Sequence, residues 1–520
     1  MLDATVARFA PTSALWLFDP PAEPRARAAL STDQLTLSLR KTLDAYPQLA
    51  GQLRRAPFKA DDSGDHTQRH GRLRLTYGSA DDPGVELVVA RFPGAVAQLA
   101  PSATERASRA GGWWDAGQLP SAELLCPDVP LALHDMSSAD WAGLPCMLVQ
   151  LTTFDCGGLA IGLRFPHALA DAQTLLRFVH DWAAVNRAMA AHAPLPELAS
   201  VFDPQILDRA AAGDIDAARP DPALVAAARA LPLHRYDWWA SARGCPAFLA
   251  DAARVPAELD PAAVGPLGVP LPWAEWDLAA DVAHHVLYFG ADEVHRMWEA
   301  ATASTAMTSS SPSTVRVSHL DALLSHVWAL IMRARGLGRD EEAHLDVTLG
   351  LRGRLAPPLP DAFLGSPIVV ARVTATGGQA AATQQDSGLG AMAAAIRTTL
   401  GQFNAATLPA LLHEVAHEAG AQRLWHAFLG RRHTIVTSWL RLDVYGVDFV
   451  GDDEGAPPRY VEAVMPSVDG CVQVMEAGHN DNDNGDAGTS VSLHLAADVM
   501  NKLLHDPLLR KFAPLPRQEE

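Results

Sequence analysis

Cysteine is scarce. Five residues in 520 (Cys126, Cys146, Cys156, Cys245 and Cys471) stand without CxxC spacing, which excludes a disulfide framework and a thiolate zinc site and fits a reducing compartment. Positive charge is short as well: 41 Lys and Arg face 60 Asp and Glu, a formal net charge of -19. No Lys/Arg run appears, so neither a nucleic-acid footprint nor an anionic-membrane surface is expected. A phosphorylated ligand stays open, because local arginines and helix N-termini decide that. No apolar run reaches membrane-spanning length, and Met1 to Pro24 lacks the basic region and apolar core of a signal peptide. The expectation is a cytoplasmic protein without membrane insertion. Phosphate loop, dinucleotide fingerprint and Gly-x-Ser-x-Gly elbow are all missing.

What is present is globular: 48% hydrophobic and 19% charged residues over a length that predicts two domains or one large composite. The pattern over Leu30–Leu53 predicts a helix ending at Pro47. Residues 59–70, 101–112, Ser304–Thr314 and Gly478–Ser490 read as loops. Met147–Phe154 and Leu159–Phe165 read as strands of a hairpin closed by Asp155-Cys156-Gly157-Gly158, with a helix after His167. Residues 190–285 look like a connecting segment with short helices. Strands near 285–289, 345–350, 367–373, 433–440, 460–465 and 491–495 and helices over Leu320–Ala334, Leu408–Leu429 and from Ala497 follow.

His-x-x-x-Asp occurs three times, at His167–Asp171, His479–Asp483 and His494–Asp498. Composition alone supplies such matches, so context must choose. His479 sits in an Asn/Asp/Gly loop and His494 in a closing strand; His167 stands where a strand hands over to a helix, a rigid mount for a general base. His413-Glu414-Val415-Ala416-His417 is a formal HExxH, the zinc-protease pattern. Its longer form needs a third ligand at residue 423, which is Arg423, so the pattern reads as the polar face of a helix and no metal is expected. Cys156 lacks a partnering base.

Several blocks in order then resemble the BAHD-type acyl-CoA-dependent acyltransferases, in a fungal-type form. Tyr46-Pro47-Gln48-Leu49-Ala50-Gly51 is similar to an early family block, and Phe154–Gly162 with His167–Asp171 to the hairpin and active-site motif. Leu323–Trp328, Arg352-Gly353-Arg354 with Pro357–Pro360 and Phe363-Leu364-Gly365, Thr437-Ser438-Trp439, and Asp448-Phe449 complete the set. Two departures stand out: Ala172 replaces a glycine, and Asp448-Phe449-Val450-Gly451-Asp452 has lost its Gly-Trp-Gly part. Pro166, where condensation domains of peptide synthetases carry a second histidine, separates the chain from that neighbour.

The resemblance implies an α/β fold of two chloramphenicol-acetyltransferase-like domains with mixed sheets, at residues 1–230 and 285–520. They would be joined by a long crossover over 231–284, with an active-site channel at their interface. It implies a monomeric enzyme of specialised metabolism with no permanent cofactor, acyl-CoA as co-substrate and a small alcohol or amine as acceptor. His167 would be the general base, Asp171 a structural support held by an arginine, and Thr437, Ser438 and Trp439 candidates for oxyanion donation. Arg441 is a candidate for the coenzyme A phosphates, and Arg352 for pairing with Asp448. Two alternatives remain at this point: a zinc protease through His413 and His417, and an inactive family member acting as a binding protein.

Overall fold

The computed structural model describes residues 11–59, 64–133, 141–240, 243–251, 253–262, 264, 267–308, 315–420, 423–451, 456–478 and 488–514. His479 and Asp483 lie outside them.

Two mixed sheets organise the chain. The first has five strands in the order Tyr460–Ala463, Thr12–Phe18, Leu159–Phe165, Leu148–Phe154, Glu86–Phe92. All seven residues of Thr12–Phe18 are buried, the mark of a central strand covered on both faces. The hairpin forms as the sequence predicts, with Leu148 opposite Arg164 and Thr153 opposite Leu159. The second sheet has seven strands: Ile368–Thr376, Glu342–Gly350, His433–Ser438, Cys471–Glu476, Thr489–Ala496, Val282–Phe289 and Trp113–Asp115.

Each sheet borrows one strand. Tyr460–Ala463 pairs antiparallel with Thr12–Phe18, and Trp113–Asp115 with Val282–Phe289. Each half therefore completes its backbone hydrogen bonding with a strand from the other. The Asp448 segment reinforces this exchange. Phe449 is fully buried edge-on against Phe18 and Trp182 at centroid distances of 6.2 and 5.0 Å, and its carbonyl accepts from Asn186 Nδ2 at 2.8 Å. Loss of the Gly-Trp-Gly part has left this anchor in place.

The helix Ala172–Ala190 packs Leu175, Leu176, Phe178, Val179 and Trp182 against the first sheet, following the apolar stripe of its sequence. Helix His319–Ala334, capped by Ser318 and Asp321, belongs to the core of the second.

Four expectations need correction. Helix Thr32–Leu43 is shorter than the 30–53 pattern, stopping before Pro47, and Pro47–Ala50 forms a 3-10 turn. Residues 101–112 contain a helix, Ala103–Ser108, started by a reciprocal Ser102–Glu105 cap; that spacing was a start signal inside an apparent loop. Helix Ala291–Thr308 runs into the stretch read as a loop from Ser304, with no Gly or Pro before Thr308 to stop it. The helix expected over 408–429 ends at Ala416, and Leu424–Trp425 is a strand. Arg72 donates to the carbonyls of Val415, Ala416 and Glu418 at this end.

Candidate active site

His167 follows the end of Leu159–Phe165 in a tight turn, where the amides of Leu169 and Ala170 return to the Pro166 carbonyl. The turn is pinned at its far end. Asp171 caps the helix by accepting from the Thr174 amide at 3.0 Å, and its own amide donates to the Gly365 carbonyl at 3.3 Å. The ring is half-buried, and burial lowers its pKa below the ordinary histidine value, against smaller opposing effects from its own backbone and Asp171. It is therefore a neutral imidazole near pH 7.

Ser366 supplies the partner for one nitrogen: its Oγ lies 3.1 Å from His167 Nδ1. If the hydroxyl accepts, Nδ1 carries the proton and Nε2 keeps the free lone pair a base requires. Among the described residues Nε2 has no partner.

The arginine of Asp171 is Arg352. Its two terminal nitrogens meet both carboxylate oxygens, one at 3.0 Å, and both side chains are buried. This corrects the expected Arg352–Asp448 pair. Asp448 lies elsewhere, turning its carboxylate onto the amides of Val450 and Gly451 at 2.8 and 2.9 Å while Arg187 donates to its carbonyl. Arg352 also donates to Thr174 Oγ1 at 3.0 Å and to the Gly365 carbonyl at 3.2 Å. Thr174 Oγ1 in turn donates to the Gly365 carbonyl at 2.7 Å and accepts from its amide at 3.1 Å. Gly365 adopts φ +139°, which a side chain disfavours. The network thus fixes residue 365, and through it Ser366, against the turn that carries His167.

A cavity of about 790 Å³ reaches this point, lined by Ala168, Leu169, Gly365 and Ser366 beside the histidine. Leu53, Leu73, Leu75, Phe202 and Phe363 make its walls apolar, and His66, Arg72, Asp208 and Asp216 make one end polar. His66 stands 3.4 Å from Asp208 and 2.9 Å from Asp216. The Asp208 contact is the largest influence raising its pKa, with burial opposing and Asp216 adding.

Thr437 and Ser438 end the strand His433–Ser438, half-exposed, and Trp439 follows, buried in the apolar cluster that also holds Ala170 and Leu364. The indole N–H has no protein partner among the described residues. Arg441 is exposed in a left-handed turn at φ +67°.

The HExxH histidines are occupied. His413 Nε2 accepts from the Asp221 amide at 2.9 Å and Nδ1 donates to the Ala212 carbonyl at 2.8 Å. Both His417 nitrogens meet carbonyls, of His413 and Ala217. Glu414 is clamped by Arg229 and Arg235 at 3.0 Å each. All four ring nitrogens therefore face backbone groups of the chain, and Glu414 is held in ion pairs. His494 is likewise a packed core residue, stacked at 4.0 Å on His284.

Sequence reasoning missed Ser366 and the cavity's polar end. Ser366 is one residue beyond the Phe363-Leu364-Gly365 block already noted, so position was the available signal. His66 had none.

A family model described as the Transferase family matches residues 120–204 and 280–509. Among curated proteins, the chain is 27% identical to the Acyltransferase AFT15-1 of Alternaria alternata over 84% of this chain and 79% of that protein. It is 26% identical to the Acyltransferase abl6 of Leptosphaeria maculans, covering 98% and 93%. Among solved structures, TRI101 of F. sporotrichioides complexed with coenzyme A and T-2 superposes with a TM-score of 0.63 at 16% identity, covering 98% and 97%. Vinorine synthase gives 0.55 at 17% identity, covering 96% and 90%.

Proposed function

The chain belongs to the Transferase family, the BAHD-type acyl-CoA-dependent acyltransferases, and from that premise we propose that His167 is the general base of a direct acyl transfer in a ternary complex. The enzyme moves an acyl group from an acyl-CoA thioester to a small metabolite. Nε2 of the neutral imidazole takes the acceptor's hydroxyl (or amine) proton as the acceptor atom attacks the thioester carbonyl. The tetrahedral oxyanion collapses, the carbon–sulfur bond breaks, and the thiolate recovers the proton from His167. Ester (or amide) and free coenzyme A leave.

The observation that carries this reading is the half-buried His167 ring, held at Nδ1 by Ser366 and unpartnered at Nε2, with Ser366 and Ala168 beside it lining a cavity large enough for a small metabolite. The unpartnered Trp439 indole, with Thr437 and Ser438 beside it, supports oxyanion donation from that segment. An exposed Arg441 supports a contact with the phosphates of coenzyme A. Asp171 and Arg352 position, and Asp448 anchors.

The lobes are read as 1–230 and 285–520 with 231–284 as crossover, each completed by the exchanged strand. Five free thiols support a reducing, cytosolic setting. The family resemblance supports a monomer working in specialised metabolism.

A panel of acyl-CoA donors, acetyl and longer chains first, against alcohols, sugars and amines tests the function by free-thiol release. Acceptor-dependent release is expected; its absence with every donor would favour the inactive binding protein.

A further inference from the structure

Three histidines from distant parts of the chain converge away from the reaction cavity. His344 and His433 are register partners at the start of the parallel pair Glu342–Gly350 and His433–Ser438. His234 comes from the crossover, just before the short strand Tyr236–Asp237. The ring centroids form a near-equilateral triangle: 4.9 Å for His234–His344, 5.0 Å for His234–His433 and 4.9 Å for His344–His433. One nitrogen from each ring lies within 4.8 Å of the others. Three imidazoles on a tetrahedral ion at about 2.0–2.1 Å place their nitrogens about 3.4 Å apart and their centroids about 5 Å apart.

The surroundings are those of a ligand set. Asp346 is fully buried between two of the rings, with Oδ2 3.2 Å from His433 Nδ1. Thr374 Oγ1 lies 3.1 Å from His344 Nδ1. Each of these rings is thereby oriented by an oxygen at Nδ1; Nε2 of His433 makes a long contact with the Tyr236 hydroxyl at 3.4 Å, which a metal ion would replace. His234 Nε2 faces Asp346 Oδ1 at 3.1 Å, and neither atom makes a well-aligned hydrogen bond. With an ion on Nδ1, Nε2 would carry the proton and donate to this carboxylate, the usual support of a ligating imidazole.

Arg372 is the register partner of Asp346 across the adjacent strands. Nitrogen donors favour zinc-class ions over calcium or magnesium.

We propose that His234, His344 and His433 form a divalent transition-metal site of the zinc class that pins the crossover segment to the second sheet. None of the three histidines lines the cavity beside His167, so the ion is assigned a structural role, clamping the crossover to the sheet.

The test uses the untagged full-length protein, stripped with a chelator and titrated with Co(II) and with Zn(II). Wild type and H413A/H417A should each bind one equivalent, with visible Co(II) bands, and zinc should raise their thermal midpoint. H344A and the milder H344Q, checked for folding by circular dichroism, should lose both responses. No stoichiometric binding by wild type, or binding undiminished in folded H344Q, would overturn the assignment.

Discussion

Arg352 meets Asp171 with both terminal nitrogens on both carboxylate oxygens, 181 residues apart in sequence and buried. The pair holds a structural position behind the turn that carries His167: Asp171 caps the helix that follows, and Arg352 grips the segment that delivers Ser366. A bidentate pair of this kind gives geometric definition that a point charge cannot.

Removing either partner should therefore destabilise strongly. Arg352→Ala leaves a buried carboxylate unpaired, at a cost of about 3–5 kcal/mol. Arg352→Lys should retain part of the stability yet lower kcat, because a single ammonium cannot hold Asp171, Thr174 and Gly365 together. Urea denaturation with parallel kinetics separates the two. Equal stability of wild type and Arg352→Ala would mean that the pair is energetically idle.

Ser366→Ala removes the oxygen facing His167 Nδ1. The net worth of such a bond is about 0.5–1.5 kcal/mol, so kcat/KM should fall roughly two- to tenfold, with folding stability little changed. An unaltered pH–rate profile together with unaltered kcat/KM would leave Ser366 without a role in orienting the ring.

The pH dependence has a definite sign. Burial lowers the His167 pKa, and the base works only when neutral, so the acid limb of kcat/KM should have its midpoint below the ordinary histidine value of about 6.5. Activity is then on its plateau at neutral pH. A midpoint above that value would require a charged form stabilised by something other than this environment.

Glu414→Gln breaks the clamp with Arg229 and Arg235 and should lower stability while leaving kcat at the temperature where the variant is folded. As base of a zinc protease Glu414 would be indispensable, so loss of kcat in a folded variant would count against its structural role.

Much of this was legible in the chain itself. The hairpin, the strand-to-helix placement of His167 and the helix stripe from Leu175 to Trp182 follow from short-range patterning, which two- and 3.6-residue periods report directly. The partner of Asp171 was not, because Arg352 is one of many arginines and only the packed lobes bring it into reach. The strand exchange was hidden for the same reason: Trp113–Asp115 and Tyr460–Ala463 are three and four residues long and carry no signal of which sheet they join. At the helix end near Ala416, Gly420 was a local stop signal, while the carbonyl contacts of Arg69 and Arg72, more than 300 residues away, were not legible.

The most direct measurement is turnover by His167→Ala, assayed as acceptor-dependent thiol release beside a binding isotherm for coenzyme A. The account predicts a fall of about 10²–10⁴-fold in kcat with coenzyme A affinity and folding preserved. Turnover within a few fold of wild type would contradict it.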